Sequence, residues 1–240
     1  MKTILGLALL ASLAASCQTS PFNNHRYGYS TPTVDDKALV YVPESDRGGI
    51  AKARTEVNEM KDRVSIAERN VTQEKQRLGV AKDELKVADA SVEASEKALD
   101  VAQNSDESVR SRDVSAAKQQ LESAQARWRS AESKIAFLEA HIDQLKSDVE
   151  LANMRVELGD ARVELAKAKA VVKLDRPEAR NISVSEFEAS VEEKEAHVAM
   201  AEVDANAWEK KVKLRQEALD KHLQARAASY DKKSDTGSSH

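Results

Sequence analysis

The chain has 240 residues, and about half of them are alanine, glutamate, leucine, lysine or arginine. This composition, with only 7 glycines and 4 prolines, is typical of long helices or coiled coils and argues against a compact globular domain. The 37 basic residues nearly balance the 41 acidic ones, which argues against a nucleic-acid-binding surface and against an acidic tail. A single cysteine excludes an intramolecular disulfide framework.

The first residues have the features of a secretory signal peptide. Lys2 provides a positive charge, and a largely apolar stretch runs from Ile4 to Leu13. This stretch is too short to span a bilayer, which requires about 20 apolar residues, but it fits the hydrophobic region of a signal peptide. The small residues Ala14, Ala15 and Ser16 follow, and then comes Cys17, the only cysteine.

Residues 1–17 resemble the signal of bacterial lipoproteins, in which small residues directly precede a cysteine. The resemblance implies that residues 1–16 are removed and that Cys17 becomes a mature N-terminus carrying diacylglycerol and an acylated amine. Several acyl chains make a stable membrane anchor, whereas a single chain binds only marginally. Gln18, where aspartate would favour the inner membrane, implies the outer membrane, with the periplasmic face favoured over the cell surface. The alternative is ordinary secretion with Cys17 unmodified.

A flexible tether is predicted for residues 17–49. This region contains three prolines and a glycine pair that disfavour regular structure: Pro21, Pro32, Pro43, Gly48 and Gly49. Within it, Lys37–Pro43 reads KALVYVP and has two interpretations. It is either a short strand that docks elsewhere or, as we favour, a piece of linker that packs locally.

Residues 50–173 are predicted to form a long coiled-coil hairpin, because apolar residues recur every seven positions for many heptads. The first helix has one row at Ile50, Val57, Val64, Val71, Leu78, Leu85, Val92 and Leu99, and another at Ala53, Met60, Ala67, Glu74, Ala81, Ala88, Ser95 and Ala102. The second has Val114, Leu121, Trp128, Ile135, Ile142, Val149, Val156, Val163 and Ala170, with Ala117, Ala124, Ala131, Leu138, Leu145, Ala152, Gly159 and Ala166. The many alanines and the glycine predict close helix approach.

The two sets of rows are out of phase, and residues 103–108 between them are rich in Asn, Ser and Asp, which favour caps and turns. The chain either reverses there into an antiparallel hairpin, which we favour, or continues as one helix through a one-residue skip. A Pro-containing loop at 174–183 then ends the second helix. Ser183 and Glu186 fit a capping box that opens a third helix at 184–230, and residues 231–240 are predicted to be disordered.

The third helix repeats apolar residues with the same period, at Val184, Val191, Val198, Ala205, Val212 and Leu219, and at Phe187, Ala201 and Trp208. An extra row on the second helix lies nearly opposite its main seam: Phe137, Leu151, Leu158, Leu165 and Val172. We therefore expect the second helix to lie between the first and the third. A thinner row on the first helix (Ile66, Val80, Val87, Val101) is predicted to contact the third helix or a second copy of the chain.

No sequence motif for catalysis, phosphate binding or a metal cluster is present. Glu193 and His197 share a helical face, but two ligands do not make a metal site, and a solvated histidine is the better interpretation. Trp128 and Trp208 fall in seam rows and are interpreted as packing residues. We therefore expect a non-enzyme with no cofactor, no metal, no catalytic residues, no small-molecule substrate and no nucleic-acid partner.

The sequence thus predicts an all-α, elongated antiparallel coiled coil of two to three long helices, anchored through Cys17. The favoured function is a structural spacer or scaffold of the bacterial cell envelope, with protein partners or self-association through the coiled coil. One alternative is a subunit of an envelope transport, secretion or motility complex that docks through the hairpin tip. A lesser alternative is a chaperone-like periplasmic clamp.

Overall fold

In a computed structural model, residues 31–105, 107–174 and 177–235 are described, and their regular structure is helical, with no strand among them. Three long helices follow one another: α1 (Glu44–Gln103), α2 (Glu107–Val172) and α3 (Val184–Asp235). Two short 3₁₀ helices, Asp36–Tyr41 and Pro177–Ala179, precede α1 and α3. All of these elements belong to one compact unit that begins at Pro32. The predicted all-α class is confirmed.

The chain reverses between α1 and α2, so the hairpin is confirmed and the continuous helix is wrong. Asn104 ends α1, and its side-chain amide donates to the Asp100 carbonyl at 2.9 Å. The Ser105 hydroxyl donates to the Ala102 carbonyl at 2.7 Å, and the Arg110 side chain donates to the Ser105 carbonyl at 3.0 Å. These polar side chains satisfy carbonyl groups that the end of a helix leaves unpaired, which makes a reversal without Gly or Pro possible.

The α1–α2 seam follows the predicted heptad rows. Every predicted seam residue of α1 is buried or half-buried. Between residues 51 and 104, Ser91 is the only half-buried residue outside the two rows, and all the others are exposed. Ion pairs on the flanks run antiparallel: Lys61–Asp160 at 3.9 Å, Lys82–Glu139 at 3.5 Å and Lys134–Glu84 at 2.6 Å. The hydrophobic stripe therefore sets the packing, and the flanking charges follow the same alignment.

The two helices approach closely at Gly159, as the small residues of that row predict. A Cβ atom placed on Gly159 would lie 2.8 Å from Val57 Cγ2 and 3.2 Å from Met60 Sδ, closer than packed carbon atoms tolerate. Gly79 lies on the exposed side of α1, and a Cβ there would have no neighbour within 4 Å. Among the four glycines of the described region, Gly159 alone is therefore required by packing.

Helix α2 packs against both α1 and α3, which make few contacts with each other. Its extra row faces α3, with Leu158 buried and Phe137, Leu151 and Leu165 half-buried, whereas Val172 is exposed. All predicted seam residues of α3 are buried or half-buried, with Phe187, Ala201 and Leu219 among the buried residues. The predicted position of the second helix between the other two is confirmed.

Two helix boundaries differ from the prediction. Helix α1 begins at Glu44 and includes Gly48 and Gly49, because the first turn carries the acidic residues Glu44 and Asp46, which favour a helix N-terminus. Helix α3 continues to Asp235, beyond the expected end near residue 230, since no glycine or proline interrupts it before Gly237.

Helix α3 begins at Val184 as predicted, after a turn in which the Glu186 N–H donates to the Ser183 carbonyl at 3.0 Å. The Ser183 hydroxyl is hydrogen-bonded to the Ser185 hydroxyl at 2.9 Å. The helix start is therefore where the capping-box pattern places it, with a different partner for the capping hydroxyl.

Candidate interaction surfaces

The segment Pro32–Val42, which we call the strap, folds back onto the base of the bundle. Asp35 begins its 3₁₀ helix by accepting a hydrogen bond from the Lys37 N–H at 2.9 Å, a local bond that favours turns. Two of its side chains enter a small core of buried residues made with the three helices: Val34, Val42, Ile50, Ala168, Ala170, Val171, Ala179 and Phe187. The local-packing interpretation of Lys37–Pro43 is confirmed, and the strand is wrong.

A buried lysine holds the strap in place. Lys167 of α2 is only 7% exposed, and its Nζ lies 2.7 Å from Glu164 Oε1 and 2.9 Å from Asp36 Oδ1. Glu164 also accepts a hydrogen bond from the Val34 N–H at 2.7 Å. Burial opposes the charge of Lys167, but these hydrogen bonds outweigh it and raise its pKa. The strap is therefore attached to α2 by both backbone and side chain.

Asp36 supplies an acid between two bases. One heptad from the Lys61–Asp160 pair, the corresponding residues of α1 and α2 are Arg54 and Lys167, both basic. Asp36 lies 3.4 Å from the Arg54 guanidinium and 2.9 Å from Lys167 Nζ, and the hydrogen bond from Lys167 lowers the pKa of Asp36. The strap thus places a negative charge between Arg54 and Lys167, two basic residues at corresponding positions of α1 and α2. The attraction between unlike charges at this separation favours the contact.

The strap is also fastened to the start of α1. The Arg47 side chain donates to the Val42 carbonyl at 2.8 Å and to the Val40 carbonyl at 2.9 Å. These bonds join the first turn of α1 to the end of the strap. Residues 32–42, which the sequence assigned to a flexible tether, are therefore an ordered part of the bundle.

The tip of the hairpin extends beyond α3. Three ion pairs between α2 and α3 are spaced by seven residues, and continuing their register brings Asp235, the last residue of α3, level with Glu122. Among residues 110–121, only Val114, Ala117 and Leu121 are buried or half-buried, all in the seam with α1. On α1, Val101 is 71% exposed. The tip therefore presents its outer faces to solvent.

A groove of about 1510 Å³ lies between α1 and α3, with α2 as its floor. Val80 and Val87 of α1 line one wall, Leu219 and Leu223 of α3 line the other, and Phe137 belongs to the floor. The row Ile66, Val80, Val87 and Val101 that was predicted to contact α3 or a second copy is exposed. Two of its valines therefore face the groove without filling it.

A polar contact interrupts the hydrophobic seam near the middle of the hairpin. Glu74 occupies a seam position and is 4% exposed. It lies 2.9 Å from His141 Nδ1 and 3.1 Å from Arg77 Nη1, and the His141 ring stacks on Phe137. A buried carboxylate is tolerated only where such partners meet it, so this contact favours one alignment of α1 and α2. The signal in the sequence is the single charged residue, Glu74, in a row that otherwise holds alanines, one methionine and one serine.

The remaining residues that the sequence singled out lie on α2 and α3, apart from Cys17. Glu193 and His197 are both half-buried on α3, and the described residues hold no group of three or more His, Cys, Asp or Glu side chains placed to bind a metal. Trp128 and Trp208 are half-buried in seams, as their row positions predict, and Lys211 Nζ lies 4.1 Å from the Trp208 ring centroid. Cys17, the predicted lipidation site, lies outside the described residues.

The helices of the described region all lack an apolar stretch long enough to cross a bilayer. Their fold defines an antiparallel, three-helix coiled-coil bundle with a protruding hairpin tip. Comparisons with family models, with curated proteins and with solved structures find no match to this chain.

Proposed function

We propose that this protein is a non-catalytic lipoprotein that serves as a spacer or scaffold in the bacterial cell envelope, anchored to the outer membrane through Cys17. The observation that carries the proposal is the strap. The chain that follows the proposed anchor is fastened by Lys167 and Glu164 to the base of a long bundle. Tension on the anchor would therefore reach the helices directly, as a spacer requires.

The dimensions support a spacer. The 66 residues of α2 correspond to a helix about 100 Å long, and an extended chain from Cys17 to Pro32 reaches about 50 Å at most. Most of the buried surface of the described helices lies in narrow seams between them.

Mass spectrometry of the mature N-terminus tests the anchor. The full chain, expressed in a bacterial host and extracted from membranes with detergent, should yield an N-terminal Cys17 peptide carrying the mass of a diacylglycerol and an additional acyl group. Cys17→Ser should abolish this modification and release the chain from the membrane fraction. Ser20→Ala, a neighbouring change outside the signal, should have no effect. An unmodified Cys17 in the native chain would refute the proposal.

The free tip favours a second function, namely a subunit of an envelope complex that docks through the hairpin. Val101, on the tip, and Val203, on α3, are 71% and 68% exposed, so they form a matched pair of surface positions. If the tip docks, Val101→Lys should abolish stoichiometric recovery of a partner from solubilised native membranes, whereas Val203→Lys should preserve it. A chain that purifies alone in one fixed oligomeric state would favour the spacer.

The groove favours the lesser alternative, a clamp for unfolded proteins. Its apolar walls at Val80, Val87 and Leu223 could contact an unfolded chain. A clamp should suppress the aggregation of an unfolded outer-membrane protein, and Val87→Lys should abolish this activity. No suppression by the native chain would exclude the clamp.

A further inference from the structure

Three of the ion pairs that join α2 to α3 form a regular ladder. Each pairs a base of α2 with a glutamate of α3, and successive pairs are one heptad apart: Arg155–Glu202 at 2.9 Å, Arg162–Glu195 at 2.7 Å and Lys169–Glu188 at 2.9 Å. Cross-helix pairs of this kind set the partner and orientation of helices in coiled coils. The ladder therefore contributes to the docking of the first half of α3.

The next level of the ladder breaks the pattern. One heptad beyond Arg155 and Glu202 stand Asp148 on α2 and Glu209 on α3, both acidic. They line a cavity of about 290 Å³ together with Gln144 and Asn206. Burial is the main cause that raises the pKa of Asp148; the charge of His141 lowers it in part, and the charge of Glu209 raises it by a smaller amount. Two carboxylates facing one cavity repel each other when both are ionised.

Two basic residues near Asp148 and Glu209, namely Arg155 and His141, already have acidic partners on other helices. Arg155, which also lines the cavity, is paired with Glu202 of α3 at 2.9 Å. His141 of α2 is bound to Glu74 of α1 at 2.9 Å, and Glu74 is bound to Arg77 of α1 at 3.1 Å. Arg155 and His141 are thus each bound to a glutamate of another helix, although His141 still attracts Asp148 in part.

We propose that Asp148 and Glu209 form a pH-sensitive latch that controls how tightly the C-terminal half of α3 docks on α2. Docking takes the ionised Asp148 carboxylate out of water and places it opposite the acidic Glu209, which loosens this half, and protonation of Asp148 closes it. Because α3 makes few contacts with α1, α2 is its main support. The loosened half carries Leu219 and Leu223, which form a wall of the groove, so opening the latch widens the groove. The proposal does not depend on lipid anchoring.

The sign of the pH dependence follows from the raised pKa of Asp148. A carboxyl group whose pKa is higher in the docked state binds more protons there, so lowering the pH favours docking. At pH values above the raised pKa of Asp148, the C-terminal half of α3 is loosened to its full extent. The loosening disappears as the pH falls through that pKa towards 3.8, the ordinary value.

Hydrogen exchange of the full chain, measured by mass spectrometry between pH 7.5 and pH 4.5, tests the latch. After correction for intrinsic rates, protection of residues 210–229 should rise as the pH falls. Asp148→Asn should raise this protection at pH 7.5, because the neutral amide removes the charge that burial opposes, and should reduce the pH dependence. Glu209→Gln should also raise the protection. Asp148→Lys places a basic residue of α2 opposite Glu209 of α3, as in the other three pairs of the ladder, and should raise the protection further.

Two controls separate the latch from general effects. Glu217→Gln removes an exposed acid from the same half of α3 and should leave the pH dependence intact. Protection of residues 71–85 in α1 should be equal in all variants, which shows that the hairpin remains folded. Lower protection of residues 210–229 in Asp148→Asn and Glu209→Gln, or an unchanged pH dependence in both, would overturn the proposal.

Discussion

We expect Gly159→Leu to lower the free energy of unfolding by about 3 kcal/mol, the upper part of the range for overpacking a well-packed core. Even a Cβ atom at this position would lie 2.8 Å from Val57 Cγ2, so a leucine forces α1 and α2 apart. The measurement is the midpoint and slope of urea unfolding followed by circular dichroism. Gly79→Leu, which places the same side chain on the exposed face of α1, is the matched control and should not destabilise the chain.

Alanine substitutions refine the same test. Gly79→Ala should raise the free energy of unfolding by about 1 kcal/mol, because alanine favours a helix over glycine by that amount. Gly159→Ala gains the same propensity but must displace Val57, so its net effect should be a loss. Combining Gly159→Ala with Val57→Ala should cost less than the sum of the two single changes, since the second makes room for the first. Equal effects of alanine at positions 79 and 159 would contradict the close approach.

The second large effect is expected from Lys167→Met. This change keeps the length of the side chain but leaves the half-buried Glu164 without its cation, and losing one partner of a buried ion pair destabilises by about 3 kcal/mol. The strap should detach more often as a result. Urea unfolding measures the stability, and limited trypsin cleavage after the exposed Lys37 measures release of the strap, which should become faster.

A double variant distinguishes the buried charge from the loss of packing. Glu164→Gln combined with Lys167→Met leaves no buried charge and retains an oxygen that accepts from the Val34 N–H, so it should recover most of the stability. Lys86→Met, which breaks a fully exposed pair with Asp83, should produce no measurable change. Slow cleavage at Lys37 in the single Lys167→Met variant would show that the lysine does not hold the strap.

Much of the fold could be predicted because its information is local and periodic. A seven-residue apolar spacing identifies a helix and the face it buries at the same time, and the rows of α1, α2 and α3 are buried as predicted. The extra row beginning at Phe137 also predicted that α2 lies in the middle. The helix ends were harder to predict, because Gly48 and Gly49 disfavour a helix by propensity alone, whereas the contacts of Arg47 with the strap support one.

The candidate sites depend on which residues meet across helices, and the sequence periodicity does not define that alignment. Asp36 reaches Arg54 and Lys167 only because the strap folds back over residues far apart in the chain. The facing acids Asp148 and Glu209 likewise become visible only when α2 and α3 are aligned by their ion pairs. The sequence shows that Glu74 is a charged residue in a row of uncharged ones. It does not show that His141 is the partner of Glu74 across the hairpin.

The central position of α2 has a mechanical consequence. One helix carries two interfaces on nearly opposite sides, so a rotation of α2 about its own axis that improves the fit to α1 necessarily shifts every residue that meets α3. A rotation of α2 that starts at the protruding end of the hairpin would thus displace residues of α3, although α1 and α3 make few contacts with each other. The shared helix makes the bundle a torsional link between its two ends.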